Sequence, residues 1–207
     1  MFFGLTLFLI AGVAADPVAT AMENYKSVDS YAVTLVSRSG GSEEVIRYSY
    51  RRPGLVRMDF ISPHKGAALA YDPGKETVVL RPLGFLKSFV LTLKADNRLI
   101  RSSRGHTVDK SDIGALFENV ERIRQRGSVK VIAEESVGQR PSLKVGIEAV
   151  EGFTSDGVGR YVLWLEKKTL MPLKVLAYGA DGEVYEEVVM DDLELNVEFP
   201  EGFFELR

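Results

Sequence analysis

The sequence contains no cysteine. That excludes thiol nucleophiles, thiolate metal sites and disulfides together, and also the lipid-modified cysteine that anchors a lipoprotein. Histidine is nearly as scarce. Of the two present, His64 falls in a turn and His106 ahead of a helix, and neither has a His, Cys or Glu at ligand spacing, so no metal site is expected. The chain also lacks charge of one dominant sign: 26 basic against 29 acidic residues leave a net charge of −3. Lys and Arg are scattered along it, which is unlike the concentrated basic footprint of a nucleic-acid binder. The glycine-rich stretches Ser39 to Ser42 and Gly152 to Gly159 lack the lysine and following helix of a phosphate loop. Glu186-Glu187 and Asp191-Asp192 are neighbours on strands, so they point to opposite faces and form no facing dyad unless the strand bulges. A protein without catalytic activity, cofactor or metal is the expectation.

Only one long apolar run is present, residues 1–15, MFFGLTLFLIAGVAA. It ends in small residues suited to a signal peptidase and is shorter than the roughly 20 residues a bilayer span needs, so it reads as a secretory signal peptide. At 207 residues and without a linker, positions 16–207 fit one large β-rich domain. Asp16 can cap a helix, Pro17 suits its first position, and Val18, Ala21, Met22, Tyr25 and Val28 recur at helical spacing.

Short strands follow, with turn signals between them. Tyr31, Val33 and Leu35 alternate with polar neighbours, as do Ile46, Tyr48 and Tyr50, then Val56, Met58 and Phe60, with turns at Gly40-Gly41 and Pro53-Gly54. Further strands are expected at 67–71, 77–81 and 88–94. Leu83 to Phe89 is too apolar for a solvated loop and fits either core under a connection or a flap at a cavity mouth. Ser111-Asp112 opens a second helix, with Ile113, Leu116, Phe117, Val120 and Ile123 on one face, arginines near its end and Gly127 as the stop. A hairpin at 129–133 and 143–149 leads into a three-strand meander: Tyr161 to Leu165, Leu173 to Ala177 and Val184 to Met190. Its short turns require antiparallel pairing.

The ordered series W-L-x-x-x-T-x-x-P-x-K from Trp164 to Lys174, D-G-E at Asp181, D-L-x-L-N from Asp192 and F-P-x-G from Phe199 resembles the end of periplasmic lipoprotein carrier and sorting proteins of the LolA-like superfamily. Arg51-Arg52-Pro53-Gly54 and Tyr71-Asp72-Pro73-Gly74-Lys75 resemble the first half of the same proteins, with Leu55-Val56 where an aromatic is common. Gly105 to Val108 with the second helix is similar to an uncharacterised bacterial branch near the carriers. The resemblance implies an α+β fold: a strongly curved antiparallel half-barrel of about ten strands enclosing the N-terminal helix and a mid-chain lid helix. It implies a periplasmic, monomeric carrier of lipoprotein or lipid acyl chains, working with membrane partners and not with nucleic acid. It also makes Arg52 the residue that would latch the lid through backbone groups; the alternative is an arginine flanking a turn in solvent.

Large apolar residues exceed what a sheet with one solvated face needs, because Val36, Val162, Trp164, Leu176, Tyr178, Tyr185 and Val189 extend the apolar content to the second row. Either a further helix covers that row or it lines a cavity. Acyl chains are a natural guest, at about 0.8 kcal/mol for each buried methylene. The candidate cavity residues are Tyr48, Met58, Phe60, Phe85, Leu86, Phe89, Phe117 and Trp164. A ligand-sensing regulatory domain of the same fold, with a lipid or membrane-protein partner, is the alternative function.

Overall fold

The structure is a computed structural model that describes residues 16–82, 89–100 and 107–206. The apolar run 1–15 and the candidates Phe85, Leu86 and His106 lie outside the described residues. The chain forms α1 (Pro17–Tyr25), β1 (Ser30–Ser39), β2 (Ser42–Arg51), β3 (Leu55–Ser62), β4 (Ala68–Asp72), β5 (Thr77–Arg81), β6 (Leu91–Lys94), α2 (Ile113–Arg124), β7 (Gly127–Val137), β8 (Arg140–Ala149), β9 (Val158–Glu166), β10 (Pro172–Gly179) and β11 (Val184–Leu195). All eleven strands belong to one sheet in the order β6-β5-β4-β3-β2-β1-β11-β10-β9-β8-β7. Every pairing is antiparallel.

Two meanders are therefore joined where the first strand meets the last, Tyr31 opposite Leu195 and Arg38 opposite Glu187. Among the described residues the outer strands β6 and β7 pair with no further strand, so the sheet is an open half-barrel. The chain from β6 to β7 includes α2. Among the described residues there are eleven strands, against about ten expected from the turn signals, and the strand expected at 88–94 is shortened to the four residues Leu91–Lys94 of β6, which pair with β5.

Local chemistry explains the joints. Gly40 and Gly41 both take positive φ, 55° and 79°, the pair of left-handed residues that a two-residue hairpin turn needs. Asp16 caps α1 by accepting from Val18 N at 2.9 Å, and Pro17 occupies the first turn, where its missing N–H costs nothing. Asp112 caps α2 by accepting from Ala115 N at 2.7 Å. Gly127 differs from its expected role. The helix has already ended at Arg124 with Gln125 as its cap, and Gly127 opens β7, where an added Cβ would lie 1.9 Å from the Glu148 carbonyl oxygen. Close approach of two backbones, and not a left-handed helix stop, is what requires glycine there.

The core lies on the concave face. Tyr31 and Val33 of β1, Tyr48 and Tyr50 of β2, and Val145, Ile147, Leu163, Leu165 and Val175 of β8 to β10 are buried there with the apolar sides of both helices. The helices run antiparallel: Asp16 at the start of α1 forms a 2.9 Å ion pair with Arg124 at the end of α2, while Tyr25 at the end of α1 meets Phe117 edge-on at 5.7 Å. The C-terminal segment packs on the convex side. Phe199, Phe203 and Phe204 cluster there, with Arg51 over Phe204 and Arg57 over Phe203, and Arg57 also donates to the Phe203 carbonyl at 2.7 Å.

Candidate functional site

The site is the trough of the half-barrel with the two helices lying in it. α2 rests against β7, β8 and β9, and Ile113, Phe117, Val120 and Ile123 are its buried face. Its entry is held by polar contacts from the sheet. The Tyr31 hydroxyl accepts from Ile113 N at 3.1 Å, and the Tyr48 hydroxyl and Ser111 Oγ are 3.0 Å apart. Tyr31 is stacked between Tyr48 and Tyr50, at 5.9 and 5.1 Å. The Tyr31 hydroxyl thus satisfies a first-turn N–H of a buried helix that nothing in the helix's own backbone could satisfy. Burial pushes the Tyr31 and Tyr48 phenols well above the usual range, so both remain neutral donors and acceptors.

The structure brings some of the expected cavity residues together and separates others. Tyr48, at 1% exposure, and Phe117, at 4%, are in the trough core. Met58 and Phe60 are partly buried against it, and Phe60 meets His64 edge-on at 6.3 Å. Phe89, just ahead of β6, is 51% exposed. Trp164 stands on the convex face, opposite Leu163 and Leu165. There its Nε1 donates to Glu135 Oε1 at 2.6 Å, and the ammonium groups of Lys144 and Lys174 lie 4.7 and 5.1 Å from its ring centroid. Around it is a shallow groove of about 420 Å³ that also touches Arg38 and Glu187. Arg160 covers Tyr178 in the same way, at 3.8 Å. Trp164 and Tyr178 of the second apolar row are thus shielded by long cationic side chains.

Arg52 reaches backbone carbonyls, those at the end of α1 and just beyond it. Its Nε donates to Val28 O at 2.7 Å and its Nη2 to Tyr25 O at 2.9 Å, and its guanidinium lies 5.4 Å from the Tyr25 ring centroid. A cation at a helix C-terminus also complements the helix dipole. The geometry fastens the N-terminal helix to the turn after β2, which gives Arg52 a direct structural task. Arg52→Leu is expected to lower folding stability by about 1.5 kcal/mol, the loss of charge-assisted bonds at an exposed residue, read as a reduced urea midpoint with an unchanged slope. An unchanged midpoint would place the arginine in solvent in all but this arrangement.

Beside Arg52 lies a cavity of about 120 Å³ whose lining includes Tyr50, Tyr71, Pro53, Pro73, Asp109 and Asp112. Asp112 is the cap of α2, and burial raises its pKa above the usual carboxylate value, partly offset by the Ala115 N–H and by Tyr50. Tyr25, packed over Gly114 at the start of α2, has a buried hydroxyl without a partner among the described residues. A carboxyl whose pKa is raised on folding binds its proton more readily in the folded state, so its contribution to stability declines as pH rises through the raised pKa. Asp112→Asn keeps the capping oxygen and removes this dependence. The variant's stability relative to the parent is therefore expected to increase between about pH 4 and pH 7, measured by urea midpoints at each pH. A parallel pair of curves would show that Asp112 is solvated as in the unfolded chain.

No protein-family model matches the chain, and no curated protein matches it in sequence. Its structure is similar to several solved ones. An uncharacterised conserved protein from Thermus thermophilus superposes with a TM-score of 0.56 at 13% identity, covering 92% of both chains. The lipoprotein LppX of Mycobacterium tuberculosis gives 0.54 at 6% identity, over 89% of this chain and 95% of that one. MucB of Pseudomonas aeruginosa, in its complex with MucA, gives 0.51 at 16% identity, over 92% of this chain but 59% of that one. Proteins of the LolA superfamily are matched as well, at lower structural similarity. At these identities the shared property is the fold: an α+β open half-barrel with helices in its trough.

Proposed function

We propose that this chain is a non-enzymatic carrier of the cell envelope that holds the acyl chains of a lipoprotein or lipid in its trough and conveys them across the periplasm. Under this reading residues 1–15 are the signal peptide, residues 16–207 are the lipid-binding domain, and the carrier works as a monomer without a cofactor. The observation that carries the reading is the placement of α2. A helix with a four-residue apolar face lies across three strands at one open end of the sheet, so its displacement would uncover a continuous apolar floor without breaking a strand pairing. The Glu186-Glu187 pair fits a structural role: Glu187 is bound to Arg38 and Lys174 on the convex face, and Glu186 accepts from Ser37 at 2.9 Å.

Titration with the fluorescent acyl chain cis-parinaric acid tests this. Saturable uptake at one equivalent, reversed by unlabelled fatty acid, is the expected result, and uptake no greater than that of an unrelated β-protein of similar size would remove the reading. A second reading, a sensor that binds a lipid or membrane-protein partner and reports it, is favoured by the small interior space. The cavity of about 120 Å³ is well below the roughly 300–1,000 Å³ of a ligand pocket, and MucB, of the same fold, is solved with a protein partner. A single membrane protein recovered in stoichiometric amount from envelope extract, without acyl uptake, would decide for the sensor.

A further inference from the structure

We propose that the free edge of β7 is a self-association site, at which two copies of this chain pair β7 with β7, antiparallel, about a two-fold axis between Ile132 and Ala133. Of the two outer strands β7 is much the longer, eleven residues against four in β6. Beyond β8 its backbone meets no further strand among the described residues. It also carries two exposed large apolar side chains, Val131 at 48% and Ile132 at 51% exposure. A long apolar edge is a template for another strand unless something blunts it. The inference concerns this edge and does not rest on the carrier reading.

One common blunting device is present, a bulge. Pairing with β8 passes from Val131 opposite Val145 to Ala133 opposite Lys144, so Ile132 is the extra residue, and the alternation of faces reverses across it. Ahead of the bulge, Val129 and Val131 lie opposite Ile147 and Val145 of the trough core, which puts Lys130 on the convex face. Beyond it, Glu134 lies opposite Leu143 on the trough side, and Glu135 is convex, bonded to Trp164 and Lys144. Ile132 rests over Gly146, where an added Cβ would come 3.1 Å from its Cδ1. Residues opposite each other in an antiparallel pair share a face, so a regular strand meeting its own copy must set odd positions against odd and even against even. With the bulge at the centre, odd meets even and every pair still shares a face. The bulge therefore selects a register and does not forbid pairing.

That register matches charge as well. Lys130 falls opposite Glu135 of the second copy, Val131 opposite Glu134, Val129 opposite Ser136 and Ile132 opposite Ala133, each contact made twice, as a two-fold interface requires. Lys130 enters no ion pair among the described residues and is exposed. Glu135 receives Trp164 and Lys144 on the same oxygen, Oε1, and a carboxylate has room for a further donor. A slipped register sets Lys130 against Ala133 or Val137 and loses both ion pairs. Paired in this way, the two troughs open on the same side, with both α2 helices next to the axis because α2 rests against β7. A single strand pair lies at the small end of interface sizes, below about 1,200 Å² in total. The dimer is accordingly weak, and the monomer is the dilute form.

Sedimentation equilibrium over a range of protein concentrations up to about 1 mM is the test, and a monomer–dimer equilibrium with a dissociation constant on the order of 100 μM is the expected result. Lys130→Glu sets like charges against each other at both ends of the pairing and should weaken association by about tenfold. Glu135→Lys should do the same. A one-to-one mixture of these two variants is the decisive sample, because in a mixed dimer opposite charges face each other again at both places, and association should return to the parent's strength. Should Glu135→Lys fail to fold for want of its bonds to Trp164 and Lys144, Ile132→Lys takes its place: it alters an exposed side chain and brings two ammonium groups together at the axis, again weakening the dimer by about tenfold. Absence of dimer, undiminished association of Lys130→Glu or of Ile132→Lys, a mixture of folded variants no stronger than either alone, or assemblies larger than a dimer would each overturn the proposal. Uptake of cis-parinaric acid by a protein that stays monomeric would remove this inference alone, and dimers that take up no probe would remove only the carrier reading.

Discussion

Val120→Asp is expected to expel α2 from the trough while the sheet stays folded, and to raise acyl-probe binding severalfold. Val120 is fully buried in the middle of the α2 apolar face. A carboxylate there meets Phe117 and Ile123 along its own helix and the apolar floor of β8 and β9, and burying it without a partner costs several kcal/mol. That cost falls on the helix seat. The strand ladder runs unbroken from β6 to β7 and has its own aromatic stack at Tyr31, Tyr48 and Tyr50. Circular dichroism should lose helical signal equivalent to the 12 residues of α2 and keep its strand signal, and cis-parinaric emission should rise at equal protein concentration. Cooperative loss of the strand signal would show that α2 is inseparable from the core, and the carrier reading would lose its moving part.

The fold was largely legible because strand and helix periods differ and this chain respects both. The rows Tyr31-Val33-Leu35 and Tyr48-Tyr50 read inward from alternation alone, as did Ile113, Phe117, Val120 and Ile123 from helical spacing, and all these positions face the trough. Antiparallel pairing followed from short turns. The closure of β1 on β11 was not legible, since it joins residues separated by most of the chain and no local pattern encodes it.

The site was legible only in part, and Trp164 shows why. Its neighbours Tyr161, Leu163 and Leu165 define the inner row, so the same alternation that found the strand assigns Trp164 outward; apolarity had suggested the trough. What makes an outward tryptophan stable is its cover of Lys144 and Lys174, one strand away on either side, and cross-strand neighbours depend on register that one sequence does not display. Arg52 shows the complementary case: the resemblance implied an arginine reaching backbone groups of the lid, and the guanidinium does reach backbone carbonyls, those of Tyr25 and Val28 at the end of α1. The Asp112 cavity had a sequence signal only in the capping aspartate. Its second wall, Tyr71 on β4, becomes a neighbour through folding.

Leu163→Ala separates the trough from the convex groove as the place where an acyl chain would lie. Leu163 is fully buried at the centre of β9, between Val145 of β8 and Val175 of β10 in the same inward row. Truncation removes its apolar burial and leaves a void that strands fixed on both sides cannot close, so a loss of about 3 kcal/mol is expected, read as a lower urea midpoint. A void lined by apolar side chains stays dry and accepts apolar guests. If the trough receives acyl chains, the variant should bind cis-parinaric acid more tightly than the parent despite its lower stability, since room has been added where the chain must lie. If the probe sits instead in the groove around Trp164, on the other side of the same strand, Leu163→Ala should leave its affinity unchanged, and Trp164→Ala should abolish it. The pair of substitutions tests one physical point: neighbours on a strand face different solvents, so adjacent residues report on opposite sides of the same wall.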